Sequence, residues 1–229
     1  MRIARLICCF GIGWALAASS AFAAGDLKTT LARLDAAAAK FRSTTADFEF
    51  DSVQTDPVPD TEVQKGTAYY QRKGTGFQMA AHINEINGRK VPKVYVYSDG
   101  KLKLDEPLIN QVTTLSGASQ YESYIMLGFG ASGKELTEKW DVTDQGPETI
   151  NGVTTEKLDL VAKDPKVKKN LPKVTIWVDL DRGVSMKQYF DQGQGQSRTC
   201  SYSNIKINQS LPGDAFTFKT DGKTQYINR

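Results

Sequence analysis

The chain has 229 residues, of which 40% are hydrophobic, and its 29 basic and 26 acidic side chains give a formal net charge of +3. This near balance provides no electrostatic basis for binding nucleic acid, for which a clearly basic domain is expected. The length suits one all-β domain as well as two small domains, and no linker rich in Pro, Gly or Ser divides the sequence.

Residues 1–23 are predicted to be a secretory signal peptide. Two arginines precede an apolar run at 6–18, and Ala21-Phe22-Ala23 has the small residues of an A-x-A cleavage site. The apolar run is shorter than the roughly 20 residues of a membrane-spanning helix. We therefore expect residues 24–229 to form one soluble periplasmic domain, without a lipid anchor because Ala24 stands where a lipoprotein has cysteine.

The rest of the sequence offers few groups for catalysis. Cys8 and Cys9 lie in the signal peptide, so Cys200 has no partner for an intramolecular disulfide and is expected to be a small buried hydrophobe. His82 is the single histidine, and no nucleophile motif accompanies it. We therefore expect no enzyme activity, no metal site and no cofactor.

The first predicted element of the domain is an amphipathic helix. Apolar residues follow one another at steps of three or four, which places them on one helix face. Such a stripe either packs against a core or serves as a lid that faces a ligand. The stripe consists of Leu27, Leu31, Leu34, Ala38 and Phe41.

Alternating apolar and polar residues then predict about ten or eleven short strands. Asp99-Gly100, Asn151-Gly152 and Arg182-Gly183 are the turn pairs expected of hairpins. The simplest architecture is one large, curved antiparallel sheet, so the predicted fold class is mainly β with short helices. The strand-like stretches are 46–52, 66–74, 76–86, 93–104, 109–115, 138–146, 155–163, 173–181, 183–192, 198–208 and 214–219.

The strands are interrupted by a segment that predicts two short helices. Ser119 with Glu122, and Ser132 with Glu135, each fit the capping box S-x-x-E at a helix start. Glycines separate the two helices, and one of them stands where a helix often ends in the left-handed conformation. We interpret these glycines as a lid hinge; they are Gly128, Gly130 and Gly133.

The same glycines imitate a phosphate-binding loop. "GFGASGK" at 128–134 matches both G-x-G-x-x-G and G-x-x-x-x-G-K. It follows a predicted helix rather than a strand, however, and Glu135 stands where Ser or Thr would hold Mg²⁺. We therefore expect no nucleotide binding.

A lysine-rich connection, "AKDPKVKKNLPK" at 162–173, precedes the last group of strands. We expect a solvated loop, and contact with anionic headgroups or an acidic partner is the alternative.

The order of these elements and several short motifs resemble the LolA family of periplasmic outer-membrane lipoprotein carriers. The motifs are "YYQRKGTGF" at 69–77, "SDGK" at 98–101, P-x-x-N-Q-V at 107–112 and "NIKINQSLPGDAFTFKTDG" at 204–222. The resemblance covers nearly all of residues 24–229.

The resemblance implies an incomplete β-barrel, in which helices cover the apolar concave face of a strongly curved antiparallel sheet and acyl chains enter between them. It implies a monomeric carrier without cofactor that takes lipoproteins from an inner-membrane ABC transporter to an outer-membrane receptor. A periplasmic protein that binds a free lipid, and a scaffold whose sheet packs only its own helices, are the alternatives.

In the family, an arginine on a strand hydrogen-bonds to the lid helices, and two residues here are candidates for that role. Ungapped alignment through Phe77 puts Lys73 at this position, whereas Arg72 would need a shift of one residue. An arginine has the planar fork that can hold several backbone carbonyls, and a lysine does not. A pair of solvated hairpin charges is the other interpretation.

The expected lining of the lipid site combines the helix stripe with apolar residues of the strands and the lid. Alternation alone does not tell which face of each strand points inward, because a single bulge reverses it. The candidates are Leu31, Leu34, Phe41, Phe48, Phe50, Phe77, Met79, Val94, Val96, Ile125, Phe129, Leu158, Leu160, Ile176 and Val178.

Overall fold

The computed structural model describes residues 26–74, 76–118 and 122–229. The predicted signal peptide and Ser119 of the first predicted capping box lie outside the described residues. In the described ranges, no helix has the length and apolar character needed to cross a membrane.

One sheet of twelve strands forms the body of the described chain. The strands are β1 (Ser43–Gln54), β2 (Asp60–Lys73), β3 (Gly76–Ile86), β4 (Arg89–Ser98), β5 (Lys101–Glu106), β6 (Gln111–Leu115), β7 (Trp140–Ile150), β8 (Val153–Ala162), β9 (Lys173–Asp179), β10 (Val184–Gly193), β11 (Gln196–Ile207) and β12 (Gln225–Asn228). Their spatial order is β12-β6-β5-β4-β3-β2-β1-β11-β10-β9-β8-β7, so the sheet is open, with β12 and β7 at its edges.

Consecutive strands are mostly joined by tight turns. The predicted turns at Asp99-Gly100 and Asn151-Gly152 are confirmed, with positive φ at both residues of each pair. Two consecutive residues with positive φ give the turn that matches the twist of a hairpin. Asn87-Gly88 forms a further turn of this kind, between β3 and β4.

The C-terminal segment differs from the prediction. Residues 214–219 form a turn and irregular chain rather than a strand, and the last strand is β12. β12 is parallel to β6, whereas the other neighbouring strands are antiparallel, so the expectation of a wholly antiparallel sheet is corrected. The reason is that the chain leaves β11 in mid-sheet and crosses to the far edge, where Gln225 N donates to Asn110 O.

In the described part of the chain, four α-helices and a short 3-10 helix (Pro107–Ile109) accompany the sheet; the α-helices are α1 (Leu27–Lys40), α2 (Glu122–Ile125), α3 (Gly133–Lys139) and α4 (Pro165–Asn170). The Asp26 side chain caps α1 by accepting from Lys28 N at 3.2 Å and Thr29 Oγ1 at 2.6 Å. The predicted capping box of Ser132 and Glu135 at the start of α3 is confirmed in both directions.

The lysine-rich connection contains a helix, α4, where we expected a loop. Asp164 accepts from Lys166 N at 2.8 Å, and Pro165 occupies the first turn. Both residues are ordinary helix-start signals, since an aspartate caps free N–H groups and a proline at this position lacks a donor that would be unsatisfied.

The buried side chains form two clusters. Residues of α1, α2 and α3 pack in these clusters against one face of the sheet, which is here called the helix face. The aromatic cluster includes Phe41, Phe48, Tyr70, Phe77, Tyr97, Phe129, Val184, Cys200 and Tyr202. The aliphatic cluster includes Leu34, Leu127, Leu136, Trp140, Leu158, Leu160, Val174, Ile176, Val178 and Leu180.

The opposite face of the sheet is covered in part by the crossing C-terminal segment. His82 Nε2 lies 2.8 Å from Ala215 O, and the Ala215 side chain is buried. Trp177, also on this face by strand alternation, lies between the ammonium groups of Lys157 and Lys187, which are 5.3 and 4.8 Å from the ring centre.

Candidate functional site

The loop between α2 and α3, residues 127–130, is bound to the sheet by its backbone. Ser185 N donates to Gly128 O at 2.6 Å, and Gly130 N donates to Gly183 O at 3.4 Å. Phe129 and Val184 thereby form an isolated antiparallel bridge. The 127–130 loop thus lies alongside the start of β10.

Phe129 of this loop is fully buried in the aromatic cluster. Its ring stacks on Tyr70 at a centroid distance of 4.0 Å and an angle of 6°, and it meets Tyr202 edge-on at 4.8 Å. Leu127, two residues earlier, belongs to the aliphatic cluster. The loop therefore closes both clusters at their junction.

The glycines of the loop allow its close approach to its neighbours. Gly128 and Gly130 have positive φ, which a side chain disfavours. A Cβ at Gly128 would lie against Ser185 Oγ, and a Cβ at Gly130 would overlap the Phe41 ring. Gly133 is equally confined, because a Cβ there would lie 2.6 Å from Leu31 O.

Arg72 joins the loop to α1. Its Nη2 donates to Gly130 O at 3.1 Å and to Ala38 O at 3.5 Å. Arg72 is paired with Phe77 of the aromatic cluster, so both side chains point to the helix face. Lys73, the next residue, points to the other face, and its Nζ forms an exposed ion pair with Asp99 at 3.5 Å.

A chain of polar side chains runs through the clusters beneath the loop. The Tyr70 and Tyr202 hydroxyls lie 3.5 Å apart, and Tyr202 donates to Gln188 Oε1 at 3.1 Å. Gln188 Nε2 in turn donates to Leu127 O. Burial raises the pKa of both tyrosines, so these hydroxyls stay protonated and serve as neutral hydrogen-bonding groups.

A second polar contact holds the start of α2. The Tyr97 hydroxyl donates to Glu122 Oε2 at 2.7 Å, and only 1% of Tyr97 is exposed. Burial first, and then the contact with Glu122, raise the pKa of Tyr97. Neither this pair nor the Gln188 contact was identified from the sequence, because nothing in the local pattern links residues so distant along the chain.

The predicted lining residues fall into three groups. Phe41, Phe48, Phe77 and Phe129 are in the aromatic cluster, with Phe50, Met79 and Ile125 packed against it, whereas Leu34, Leu158, Leu160, Ile176 and Val178 are in the aliphatic cluster, with Leu31 against it. Val94 and Val96 are in neither cluster. They alternate with Tyr95 and Tyr97, which face the aromatic cluster, and therefore point to the opposite face.

An open cleft of about 750 Å³ borders the aliphatic cluster. Its walls come from α2, α3, the start of β7 and α4. Trp140 belongs to these walls, and its ring meets Tyr124 edge-on at 5.1 Å. The apolar wall residues include Met126, Leu127, Leu136, Trp140, Ala162 and Val167.

A carboxyl pair lies under the first turns of α1. Asp144 is buried and accepts from Thr30 Oγ1 at 2.7 Å. Burial, followed by the hydrogen bond and the negative charge of Asp144, raises the pKa of Glu156 to about 7. The Glu156 carboxyl therefore gains or loses its proton near neutral pH, at the place where α1 meets the sheet.

The side chains that were considered for catalysis or metal binding occupy separate places. Cys200 is buried, and burial raises the pKa of its thiol to about 12, which leaves little nucleophilic thiolate. His82 contacts the C-terminal segment on the opposite face. Within the part of the chain that the structure describes, no group of three or more His, Cys, Asp or Glu side chains could hold a metal ion.

No protein-family model and no curated protein matches this sequence. Solved structures do match the fold. An uncharacterised conserved protein from Thermus thermophilus is 10% identical, with 90% of this chain and 100% of that chain covered and a TM-score of 0.57.

MucB is another match, at 13% identity and a TM-score of 0.53, with 88% of this chain covered. This chain spans 65% of the length of MucB. A LolA superfamily protein, NE2245 from Nitrosomonas europaea, matches more distantly, at 16% identity and a TM-score of 0.41 over 84% of this chain and 97% of that chain. The mainly β architecture with short helices that was predicted from the sequence is thus confirmed as a fold.

Proposed function

We propose that this protein is a carrier that binds the acyl chains of a lipoprotein or another lipid between the sheet and its helices. The observation that supports this most strongly is the pair of apolar clusters that meet under the 127–130 loop, closed by Phe129 and Leu127. We further propose that the sheet curves into an incomplete barrel and that its concave side is the helix face.

An apolar site is what such a cargo requires. Each methylene group removed from water contributes about 0.8 kcal/mol, so a lipid with two or three chains needs an extensive apolar surface. Without cargo, the same surface must be covered by the protein itself. The stacking of Phe129 on Tyr70 is the kind of internal contact that an acyl chain would replace.

Release of the cargo requires that the helices close over the sheet again. The hydrogen bonds between the sheet and the lid region are suited to this closure. Arg72, Tyr97 and Gln188 each hold the lid region by hydrogen bonds to it. A hydrogen bond contributes about 1 kcal/mol net, so each contact can be exchanged singly. We propose Arg72 as the lid latch and the glycines at 128, 130 and 133 as the hinge about which α2 and α3 move.

The cleft beside the aliphatic cluster is the proposed entrance. Met126, Leu136 and Trp140 give it apolar walls that continue into the buried cluster. Val167 of α4 lines the cleft, and the lysines of the same helix are proposed to contact anionic headgroups or an acidic partner. They are Lys166, Lys168 and Lys169.

The cellular setting is proposed from the sequence. Residues 1–23 would direct export and be removed, and residues 24–229 would act in the periplasm as a monomer, without cofactor or covalent chemistry. An inner-membrane ABC transporter would supply the lipoprotein and an outer-membrane receptor would accept it.

Mass spectrometry of molecules that copurify with the exported protein tests the proposal. A polypeptide carrying acyl chains supports lipoprotein transport, and a free lipid indicates a lipid-binding protein. If no lipid or acylated polypeptide copurified and the protein did not take up a fluorescent fatty-acyl probe, both interpretations would be contradicted.

A pair of matched variants connects such binding to the site. Ile125→Glu introduces a charge beside the aromatic cluster and should abolish uptake of the probe. Val58→Glu makes the same chemical change at a side chain that is 67% exposed and should bind normally. Equal binding by both variants would place the lipid elsewhere.

A further inference from the structure

The carbonyl groups of the 127–130 loop are held by a row of donors on the helix face. Gln188 Nε2 donates to Leu127 O, Ser185 N donates to Gly128 O, and Arg72 Nη2 donates to Gly130 O. The donors come from β10 and β2, which lie on either side of β1 and β11. Three of the four carbonyls in this loop therefore depend on the sheet.

Two hydroxyl groups on the same face have no hydrogen-bond partner among the residues that the structure describes. Ser185 Oγ and Thr44 Oγ1 are buried, and both residues have 0% of their surface exposed. Ser185 lies against Gly128 of the loop. Thr44 is paired with Tyr70, the residue on which Phe129 stacks, so it points toward the same cluster.

Buried hydroxyl groups are almost always hydrogen-bonded, and an exception calls for an explanation. Both hydroxyls can donate a proton, and both lie among apolar side chains that an acyl chain would displace. Moving the loop would leave Gln188, Ser185 and Arg72 without their carbonyl partners as well. An entering ligand must then bring acceptors, or these donors remain unsatisfied at a cost to binding.

From this arrangement we propose that the site recognises ester-linked acyl chains, whose carbonyl oxygens replace the loop carbonyls on Gln188, Ser185 and Arg72. The inference rests on the proposed function and specifies its ligand chemistry. An ester has its carbonyl at the root of the hydrocarbon chain, which suits donors set among apolar residues. A hydrocarbon chain on an ether linkage lacks this acceptor.

The test compares two probes that differ only in those carbonyls: a diacylglycerol and the dialkyl ether of glycerol with the same chain lengths. The affinity of each lipid is measured by its displacement of a fluorescent fatty-acyl probe from the purified protein. We expect the diester to bind at least tenfold more tightly than the diether. Equal affinities would overturn the ester subsite but leave the carrier function, and failure of both lipids to bind would overturn both.

Variants test whether these donors cause the preference for ester over ether lipids. Gln188→Met retains the length of the side chain and should reduce the preference for the ester severalfold, while Phe50→Leu should weaken both lipids alike. Thr44→Val removes an unpartnered hydroxyl without changing shape, so it should raise the Tm of the empty protein and also reduce the preference. An unchanged preference in both Gln188→Met and Thr44→Val would overturn the assignment.

The ester could belong to a lipoprotein or to a free glycerolipid, and a third probe separates these sources. A short peptide whose N-terminal cysteine carries a diacylglyceryl group presents the same esters as diacylglycerol. Tighter binding of the peptide assigns the site to lipoproteins, and tighter binding of diacylglycerol assigns it to free lipid. Binding of neither contradicts the proposal.

Discussion

The Arg72 guanidinium lies 3.1 Å from Gly130 O and 3.5 Å from Ala38 O, so one side chain joins the loop after α2 to the end of α1. Replacing Arg72 with alanine should lower the free energy of unfolding by about 1 kcal/mol, because two carbonyls lose a charged donor that is only partly buried. Urea denaturation measures this change, and amide exchange at residues 127–130 should increase.

Lys73→Ala is the matched control for Arg72→Ala. Its ion pair with Asp99 is exposed, and solvent screens such a pair so strongly that its loss should change stability little. We expect normal exchange at the loop in this variant. If Lys73→Ala mobilised the loop and Arg72→Ala did not, Arg72 would not be the latch.

The second prediction concerns the confinement of Gly130. Gly130→Ala should destabilise the protein, since a methyl group would overlap the Phe41 ring and the backbone has positive φ. Gly117 also has positive φ but open space around it, so Gly117→Ala measures the backbone strain alone. We expect Gly130→Ala to cost about 1–3 kcal/mol more than Gly117→Ala in urea denaturation. Similar losses of stability in the two variants would show that the Phe41 ring moves aside without an energetic penalty.

The third prediction is a pH dependence of stability from the pair of Glu156 and Asp144. The pKa of Glu156 is raised from its ordinary value of 4.5 to about 7 in the folded protein. The folded state therefore binds more protons than the unfolded state between these values, and stability falls as pH rises through this window. Urea midpoints measured from about pH 4.5 to about pH 7.5 should decrease accordingly.

Glu156→Gln should flatten that decrease, because an amide cannot ionise next to Asp144. Glu138→Gln, an exposed change on α3, should leave the decrease in place. A decrease of equal slope in the Glu156→Gln protein would mean that another group is responsible.

The fourth prediction uses the buried thiol. Cys200 is 5% exposed and burial raises its pKa to about 12, so a disulfide reagent should react with it about a hundredfold more slowly in buffer than in urea. The absorbance of the released thiolate reports the reaction. A fast reaction in buffer would require that the aromatic cluster opens frequently, and addition of the cargo lipid should then alter the rate.

The sequence predicted those features that depend on neighbouring residues. The spacing of apolar residues identified α1, and Ser132 with Glu135 identified the start of α3. Local signals for α4 were present in Asp164 and Pro165, yet the abundance of lysine suggested a loop instead.

The remaining features depend on contacts between distant residues. Val96 and Tyr97 lie on opposite faces of β4 and both are buried, so alternation of apolar and polar residues could not decide which of them faces the helices. The same problem affected Arg72 and Lys73, whose directions follow from the pairing of Arg72 with Phe77. The side chains of Gln188 and Tyr97 donate hydrogen bonds to residues far away in the sequence, and no local sequence pattern indicates these bonds.

The position of Trp140 gives the protein an optical reporter of its own. Indole emission responds to the polarity of its surroundings, and this buried residue belongs to the wall of the cleft and contacts Tyr124 of α2. Trp177 lies on the opposite face and Trp14 lies in the predicted signal peptide, so Trp177→Phe in a protein without residues 1–23 would leave Trp140 as the single tryptophan. Stopped-flow fluorescence of that variant would then record opening and closing of the helices in real time, without an attached dye.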